Sequence, residues 1–173
     1  MEKTGTVYFF TGLSGAGKST IGGLFFQRLR AQKPNVFLLD GDRYRREVCE
    51  DLGYTEEDRL KAARRGFRLS RWLADQGIDV VNCGIAMYEE IRKWNRENID
   101  SYREIYIKVS RETLLRRNQH GLYRGGKNVV GVDLPFEEPQ RPDVVVENNG
   151  METPDAIVDR LVELFELSRK GYI

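Results

Sequence analysis

The chain has 173 residues, of which 40% are hydrophobic and 32% are charged, so it is long enough for one domain with a substantial core but not comfortably for two. Its 28 lysines and arginines balance 27 aspartates and glutamates to leave a net charge of +1, which argues against a general nucleic-acid-binding protein. No apolar run reaches the length of about 18 residues that suits a membrane span, and no charged-then-apolar signal segment opens the chain. We therefore predict a cytoplasmic protein whose partners are neither nucleic acids nor membranes.

Cysteine and histidine are too few to suggest a structural metal site. The candidates are Cys49, Cys83 and His120, and they form neither a Cys-x-x-Cys pair nor a histidine cluster. We therefore expect no structural zinc, and two buried thiols in a reducing compartment.

Short apolar runs alternate with longer segments of helical period, without repeats or linkers. The predicted strands lie at 6–12, 35–40, 77–83, 104–109 and 143–148. Helices are predicted after the first strand, over 56–76, through Trp94 to Ile99, over 110–118, and after Thr153. Apolar strands separated by helices predict an α/β fold with a five-stranded parallel sheet and right-handed crossovers, in a single domain over 1–173.

Two of these helices have clear start signals. Thr55 is a predicted N-cap with acidic residues at 56–58 in the first turn, and Thr153 with Pro154 is the same signal for the last helix. The last helix carries the apolar residues Ile157, Leu161, Leu164 and Phe165.

The stretch from 119 to 142 has no helical or strand period. Its glycines and prolines are Gly121, Gly125, Gly126, Gly131, Pro135, Pro139 and Pro142. A loop of this length in a compact domain is usually functional, and we predict that its first part, about 119–133, is a lid.

The stretch GLSGAGKST at 12–20 is the most specific motif in the chain. Gly12, Gly17, Lys18 and Ser19 match Gly-x-x-x-x-Gly-Lys-Ser/Thr between a strand and a helix, which is the context of a phosphate-binding P-loop. Its glycines bring backbone N–H groups to phosphate oxygens at a helix N-terminus, the Lys18 ammonium suits the β- and γ-phosphates, and the Ser19 hydroxyl suits Mg²⁺. The predicted nucleotide-binding residues are Gly12, Ser14, Gly15, Ala16, Gly17, Lys18, Ser19 and Thr20.

Three classes of protein share this loop. GTPase switches need a guanine-reading Asn-Lys-x-Asp, which does not occur here. Motor and repair ATPases usually have a longer chain and a more basic surface. Small-molecule kinases are short, single-domain and lidded, so the length and the long loop favour a kinase.

The stretch LLDGD places Asp40 at the end of the second strand and Asp42 two residues further on, where ligands bind in open parallel sheets. Two carboxylates fit there if one helps to order Mg²⁺ or the P-loop and the other accepts a proton from an attacking hydroxyl. An ordinary Asp-Gly turn is the alternative. Arg45, Arg59 and Arg64 follow on the next helices and suit an anionic acceptor, unless each is simply a solvated side chain.

Several further stretches agree with one family in order and approximate spacing. GLSGAGKST, LDGDRYR, LGYTEEDR, GLY and GVDLPFEEP together resemble the adenylylsulfate kinases along nearly the whole chain. The resemblance implies a homodimeric kinase that uses ATP and Mg²⁺ to phosphorylate the 3′-hydroxyl of adenosine 5′-phosphosulfate.

The resemblance also implies residue roles. Asp42 would meet the acceptor hydroxyl as the base, while Asp40 would support the P-loop and the metal beside Lys18. Arg45 and Arg59 would hold the charged groups of the acceptor. The remaining implied positions are Tyr54 near the acceptor base, Ile85 in the acceptor pocket, Arg117 against the adenine of ATP, and Arg124 at the phosphates or the acceptor.

The departures from the family pattern concentrate on the acceptor side. The family's Ile-Ser-Pro-Phe run is replaced by residues 85–88, so Ala86 stands where some members carry a phosphorylatable serine. Ala62 replaces an expected asparagine, Val129 replaces a lid phenylalanine, and the lid from Tyr123 to Asp133 is shorter than usual. Loss of an amide and an aromatic face removes a hydrogen-bond partner and a stacking surface.

Two interpretations of these departures stay open. One is a kinase with a different nucleotide-linked acceptor, similar to the cytidine diphosphoramidate kinases of capsule modification; the other is drift within true adenylylsulfate kinases. A module that only binds ATP is disfavoured because the Asp-Gly-Asp stretch is present. A hydrolase or switch is disfavoured because no guanine reader is found.

Overall fold

The computed structural model of the chain describes residues 4–86, 88–117, 130–131, 134 and 136–167. Strands and helices alternate along this part of the chain. In order they are β1 (Val7–Thr11), α1 (Lys18–Gln32), β2 (Val36–Asp40), α2 (Gly41–Val48), α3 (Glu56–Asp75), β3 (Asp79–Cys83), α4 (Glu89–Asn98), β4 (Tyr102–Lys108), α5 (Arg111–Arg117), β5 (Val144–Glu147) and α6 (Pro154–Leu167).

The five strands form one parallel sheet in the order β2-β3-β1-β4-β5, which confirms the predicted fold class. Cys83 pairs in register with Phe10 on one side and with Asp40 on the other. The carboxyl ends of β1, β2 and β3 therefore lie side by side, and the P-loop and the Asp-Gly-Asp stretch leave the sheet at the same edge.

Each face of the sheet has its own hydrophobic core. Tyr8 and Phe10 pack with Phe25 of α1 and Phe165 of α6 on one face. On the other face Phe9 contacts the Phe67 ring of α3 edge-on, with centroids 4.8 Å apart. Burial on both faces explains why β1 reads as a continuous apolar run.

The predicted helix starts are confirmed. The Thr55 hydroxyl accepts a hydrogen bond from the Asp58 N–H at 3.2 Å, and Thr153 does the same for Ala156 at 3.2 Å. Of the four apolar residues named for the last helix, Leu164 is 43% exposed.

Three boundaries differ from the sequence prediction. β2 passes into α2 without an intervening loop, because Asp40 itself is the N-cap of that helix. β3 begins at Asp79 instead of 77, since Gly77 adopts a left-handed φ of 78° just after α3. β4 begins two residues early, at Tyr102.

The lid predicted at about 119–133 lies almost wholly outside the described residues, and so do Arg124 and Val129. Both cysteines are buried free thiols, as predicted. In the part of the chain that the structure describes, no helix is both long and apolar enough to span a membrane; the cytoplasmic location stays a prediction.

Candidate active site

The P-loop between β1 and α1 is held in shape by its glycines. Gly17 caps α1 with a left-handed φ of 102°, and a Cβ there would lie 2.6 Å from Asn148 Nδ2. A Cβ on Gly12 would overlap the Ile107 carbonyl oxygen of β4. Gly12 and Ala16 are both buried. Neither of them lines the cavity that the neighbouring residues of the loop help to form.

Lys18 folds back over the loop, where its Nζ donates to the Leu13 carbonyl oxygen at 2.8 Å. Burial lowers the pKa of the Lys18 ammonium to about 8, and the nearby carboxylates of Asp42 and Asp40 oppose that shift. The ammonium is therefore poorly hydrated, and phosphate oxygens would supply the partners that water does not.

Ser19 and Asp40 join the first turns of two helices. The Ser19 hydroxyl donates to Asp40 Oδ2 at 2.9 Å, while Asp40 Oδ1 accepts from the Arg43 N–H at 3.0 Å. A hydroxyl beside a carboxylate is a donor set that suits Mg²⁺, which is typically held by few protein groups, water and substrate phosphates. The described residues contain no group of three or more acidic, cysteine or histidine side chains that could hold a metal ion.

Asp42 lies in the first turn of α2 and lines the same cavity as Lys18. Its charge is the largest of those that oppose the lowered pKa of Lys18. Within the described chain no hydrogen bond engages the Asp42 side chain. The carboxylate is therefore available to a ligand.

The cavity between the P-loop and α3 has a volume of about 310 Å³. Its wall includes residues of the P-loop, α2, α3 and the segment after β3. Predicted site residues on its wall are Ser14, Gly15, Gly17, Lys18, Ser19, Thr20, Asp42, Arg45, Tyr54, Arg59 and Ile85. It also includes Ala62 and Ala86, two of the positions that depart from the family pattern.

Arg45 and Arg59 both lie against the exposed Tyr54 ring. Their guanidinium carbons lie 4.9 Å and 5.4 Å from the ring centroid. Arg45 also donates to the carbonyl oxygens of Gly53 and Asp58, and Arg59 Nε donates to the Tyr54 carbonyl at 3.1 Å. Burial lowers the pKa of Arg59 and the neighbouring Arg45 contributes in the same direction, so an anion would relieve this concentration of positive charge.

The segment after β3 is fixed to the end of β1. The Thr11 hydroxyl donates to the Ile85 carbonyl oxygen at 2.6 Å, and Ala86 adopts a φ of 27°, which an L-residue rarely occupies. The Tyr88 N–H closes the turn onto the Ala86 carbonyl at 2.9 Å. This strained turn presents both Ile85 and Tyr88 to the cavity.

Arg117 lies beside the P-loop, together with a residue that sequence reasoning missed. Its guanidinium donates to the carbonyl oxygens of Gly15 at 3.4 Å and Asn148 at 2.8 Å. The buried Asn148 in turn donates from Nδ2 to the Ala16 carbonyl at 2.8 Å. A polar residue directly after the apolar fifth strand was the available signal, because that strand ends at the same edge of the sheet.

One predicted cation, Arg64, does not line this cavity. Arg64 instead donates to Glu90 of α4 at 3.0 Å, which corrects the expectation that it faces an anionic acceptor. Arg124 lies outside the described residues, so its role stays a prediction.

Parallel strand order, P-loop geometry and the acidic end of β2 together define a P-loop nucleotide-binding protein of the α/β class. The sequence model of the adenylylsulphate kinase family matches residues 4–147, and the chain belongs to this family. It is accordingly an ATP-using phosphotransferase with a hydroxyl group as acceptor.

Individual relatives carry two different acceptor names. An adenylyl-sulfate kinase of Picosynechococcus is 37% identical over 178 residues, covering 100% of this chain and 99% of the relative. A cytidine diphosphoramidate kinase of Campylobacter jejuni is 33% identical over 172 residues, covering 96% and 100%. Among solved structures, the Mycobacterium tuberculosis APS kinase CysC in complex with AMPPNP and APS superposes with a TM-score of 0.83 at 29% identity, over 94% of this chain and 98% of that one.

Proposed function

We propose that the protein transfers the γ-phosphate of ATP to the 3′-hydroxyl of a nucleotide-type acceptor. The observation that carries this proposal is the shared cavity, whose wall includes Lys18, Asp42 and the arginine pair Arg45 and Arg59. A triphosphate at the P-loop and an anionic acceptor at the arginines would meet beside the Asp42 carboxylate.

In this proposal one group of residues binds the phosphates of ATP and another binds the acceptor. Lys18 and the P-loop amides hold the phosphates and offset the charge that develops on the transferred group. Asp42 accepts the proton of the acceptor hydroxyl, and Arg45 with Arg59 fixes the acceptor's own anionic group. Ser19 and Asp40 would hold Mg²⁺, which supplies further neutralisation of phosphate charge.

Adenosine 5′-phosphosulfate is the nominal acceptor, on the family resemblance. The second candidate is a nucleoside diphosphoramidate, and the structure offers a specific reason for it. Ala62 and Ala86 both line the cavity, so the substitutions that distinguish this chain from the family pattern fall on its acceptor wall. Relatives named for either activity are similar to this chain to nearly the same degree.

The direct test incubates the protein with Mg²⁺-ATP and adenosine phosphosulfate, cytidine diphosphoramidate or common nucleoside diphosphates, and follows ADP release. We expect turnover with one of the first two and little ADP release without an acceptor. A preference of tenfold or more for the cytidine compound would reject the adenylylsulfate assignment. Absence of turnover with every acceptor would contradict the proposed kinase activity itself.

Asp42→Asn tests the role of Asp42 as the base. The amide keeps the size of the side chain but takes up no proton, so turnover should fall by roughly 10²–10⁴ while ATP affinity stays near that of the wild type. Wild-type turnover in this variant would remove Asp42 from the role of base.

Biological context follows from the acceptor. Adenosine phosphosulfate would place the reaction in sulfate assimilation, and cytidine diphosphoramidate would place it in capsule modification.

A homodimer is proposed on the family resemblance. A mass of about one chain, measured by sedimentation, would contradict it.

A further inference from the structure

Asn82 is a polar residue on the apolar part of the cavity wall. It is only 4% exposed and lines the cavity near the end of β3. Its register partners are Phe9 and Leu39, which belong to the core beneath α3, whereas the next residue, Cys83, belongs to the opposite core. Asn82 therefore faces α3 and the acceptor side of the site.

A short hydrogen-bond relay fixes the orientation of the Asn82 amide. Asn82 Nδ2 and Ser70 Oγ are 3.2 Å apart, and Ser70 Oγ donates to the Gly66 carbonyl at 2.9 Å. Because Ser70 gives its one hydroxyl proton to Gly66, it can only accept from Asn82. The amide nitrogen therefore faces Ser70, and the oxygen faces away from it.

The oxygen of this amide points along the cavity wall. Asn82 Oδ1 would lie 3.7 Å from a Cβ built on Gly84, which is itself a lining residue. In the described part of the chain, no donor is hydrogen-bonded to this oxygen. The neighbouring wall from α3 is formed by Ala62, Ala63, Gly66 and Phe67.

A carbonyl oxygen on an otherwise apolar wall selects for a donor. Leaving it without a partner on ligand binding costs about 1–3 kcal/mol, and phosphate or sulfate oxygens cannot donate to it. Anionic groups are already matched by Arg45 and Arg59 at another part of the cavity. The complementary ligand group is a neutral N–H or O–H donor. Because every nucleotide-type acceptor carries ribose hydroxyls, only an NH₂ group would let this oxygen distinguish one acceptor from another.

We propose that Asn82 is a specificity-determining residue that accepts a hydrogen bond from an NH₂ group of the acceptor. This inference rests on the proposed function, since it assigns a contact to the acceptor of that reaction. The NH₂ group has two chemical sources: the exocyclic amine of adenine or cytosine, and the amide of a terminal phosphoramidate.

The experiment compares acceptors that differ only in this donor. One arm pairs adenosine with inosine compounds and cytidine with uridine compounds, and the other pairs a nucleoside diphosphoramidate with the nucleoside diphosphate. Wild-type protein should favour the amine-bearing member of one arm by about tenfold to a hundredfold in kcat/KM. Asn82→Ala should abolish that preference through KM for the acceptor, while KM for ATP is unchanged.

Two further variants separate recognition from folding. Ser70→Ala keeps the Asn82 amide but removes its orienting partner, so it should weaken the preference by a smaller factor. Asn98→Ala removes a part-buried amide that donates to the Trp94 carbonyl on α4, away from the cavity, and should behave as wild type. Should Asn82→Ala fail to fold, the Ser70→Ala variant still decides the question.

Binding titrations make this inference distinguishable from the kinase assignment. The same acceptor pairs are titrated in the presence of Mg²⁺-ADP, with the thermal midpoint as the readout. If no acceptor is phosphorylated but the amine-bearing partner still binds more tightly in an Asn82-dependent way, the kinase assignment fails and the Asn82 contact stands. If Asn82→Ala retains the wild-type preference in both arms, the inference is overturned.

Discussion

At the residue scale, Lys18 shows how the fold changes the chemistry of a motif residue. The P-loop pattern requires a cation at this position, and the structure encloses the ammonium so that its pKa falls from 10.5 to about 8. A bound phosphate would offset that shift, because its negatively charged oxygens favour the charged form of the lysine. We therefore expect nucleotide binding to be linked to protonation of Lys18.

This coupling predicts a pH dependence of ATP affinity. Free protein loses the Lys18 proton above about pH 8, whereas the nucleotide complex retains it, so binding takes up a proton there. The affinity for ATP should be independent of pH just below pH 8 and should fall by up to about tenfold per pH unit above it. Calorimetry in two buffers of different ionisation enthalpy measures the proton uptake.

Lys18→Met is the control for the pH dependence of ATP affinity, and it should bind ATP weakly without a change of slope near pH 8.

The stability of the free protein should change with pH in the opposite direction. Because the folded pKa of Lys18 lies below its unfolded value of 10.5, the unfolded chain binds more protons between the two values, and the free energy of unfolding rises with pH across that window. A pH-independent affinity up to pH 10 would contradict the lowered pKa.

At the scale of elements, the junction of β2 and α2 serves both structure and site. Asp40 ends the strand, caps the helix through the Arg43 N–H, and accepts from the Ser19 hydroxyl of α1. The same carboxylate therefore fixes where α2 starts and links the first turns of two helices. Immediate passage from strand to helix also brings Asp42 into the first turn, on the cavity wall.

Two substitutions at Asp40 should separate these tasks. Asparagine is as good an N-cap as aspartate, so Asp40→Asn should retain stability but require more Mg²⁺ for half-maximal activity. Asp40→Ala should show the same Mg²⁺ defect and also lose about 1 kcal/mol of unfolding free energy. Denaturant unfolding and Mg²⁺ titrations of turnover measure the two effects.

Thr153→Ala provides the matched control, because Thr153 caps α6 through the Ala156 N–H and does not line the cavity. It should lose a comparable unfolding free energy with a normal Mg²⁺ requirement. If Asp40→Asn has a wild-type Mg²⁺ requirement, Asp40 is only a helix cap.

At the scale of the whole molecule, segments far apart in the chain stabilise the P-loop. Asn148 donates to the Ala16 carbonyl across 132 sequence positions, and Arg117 reaches the Gly15 carbonyl across 102. Arg117 also donates to the Asn148 carbonyl, so β5, α5 and the P-loop form one connected unit. Parallel pairing of β4 with β5 is what brings Asn148 to the loop.

Asn148→Ala should weaken ATP binding by about tenfold, since the buried Ala16 carbonyl loses its side-chain partner and the loop its support. KM for the acceptor should be unchanged, because Asn148 does not line the acceptor end. Calorimetric titration with ATP and steady-state kinetics measure the two quantities.

Asn149→Ala is the neighbouring control. The Asn149 side chain accepts from the Ser110 N–H at 2.9 Å and makes no described hydrogen bond to the P-loop, so ATP affinity should stay near wild type. Equal loss of affinity in both variants would indicate a general effect of the loop after β5, contradicting a specific role for Asn148.

Local patterns predicted most of the secondary structure and the nucleotide end of the site. The P-loop depends on a contiguous run of residues, and the caps at Thr55 and Thr153 depend on residues three apart, so short-range chemistry was sufficient. The boundaries that were displaced, at Asp79 and Tyr102, lie where sheet pairing and a left-handed glycine outweigh local preference.

The sequence by itself determined the class of fold, the P-loop and the acidic end of β2, because each is encoded by neighbours along the chain. Tertiary structure alone decided that Asn148 contacts the P-loop, that Arg64 pairs with Glu90, and that Asn82 lines the cavity. The physical reason is that these positions depend on which strands pair and which face a helix covers, and residues more than a hundred positions apart become neighbours only when the sheet is assembled.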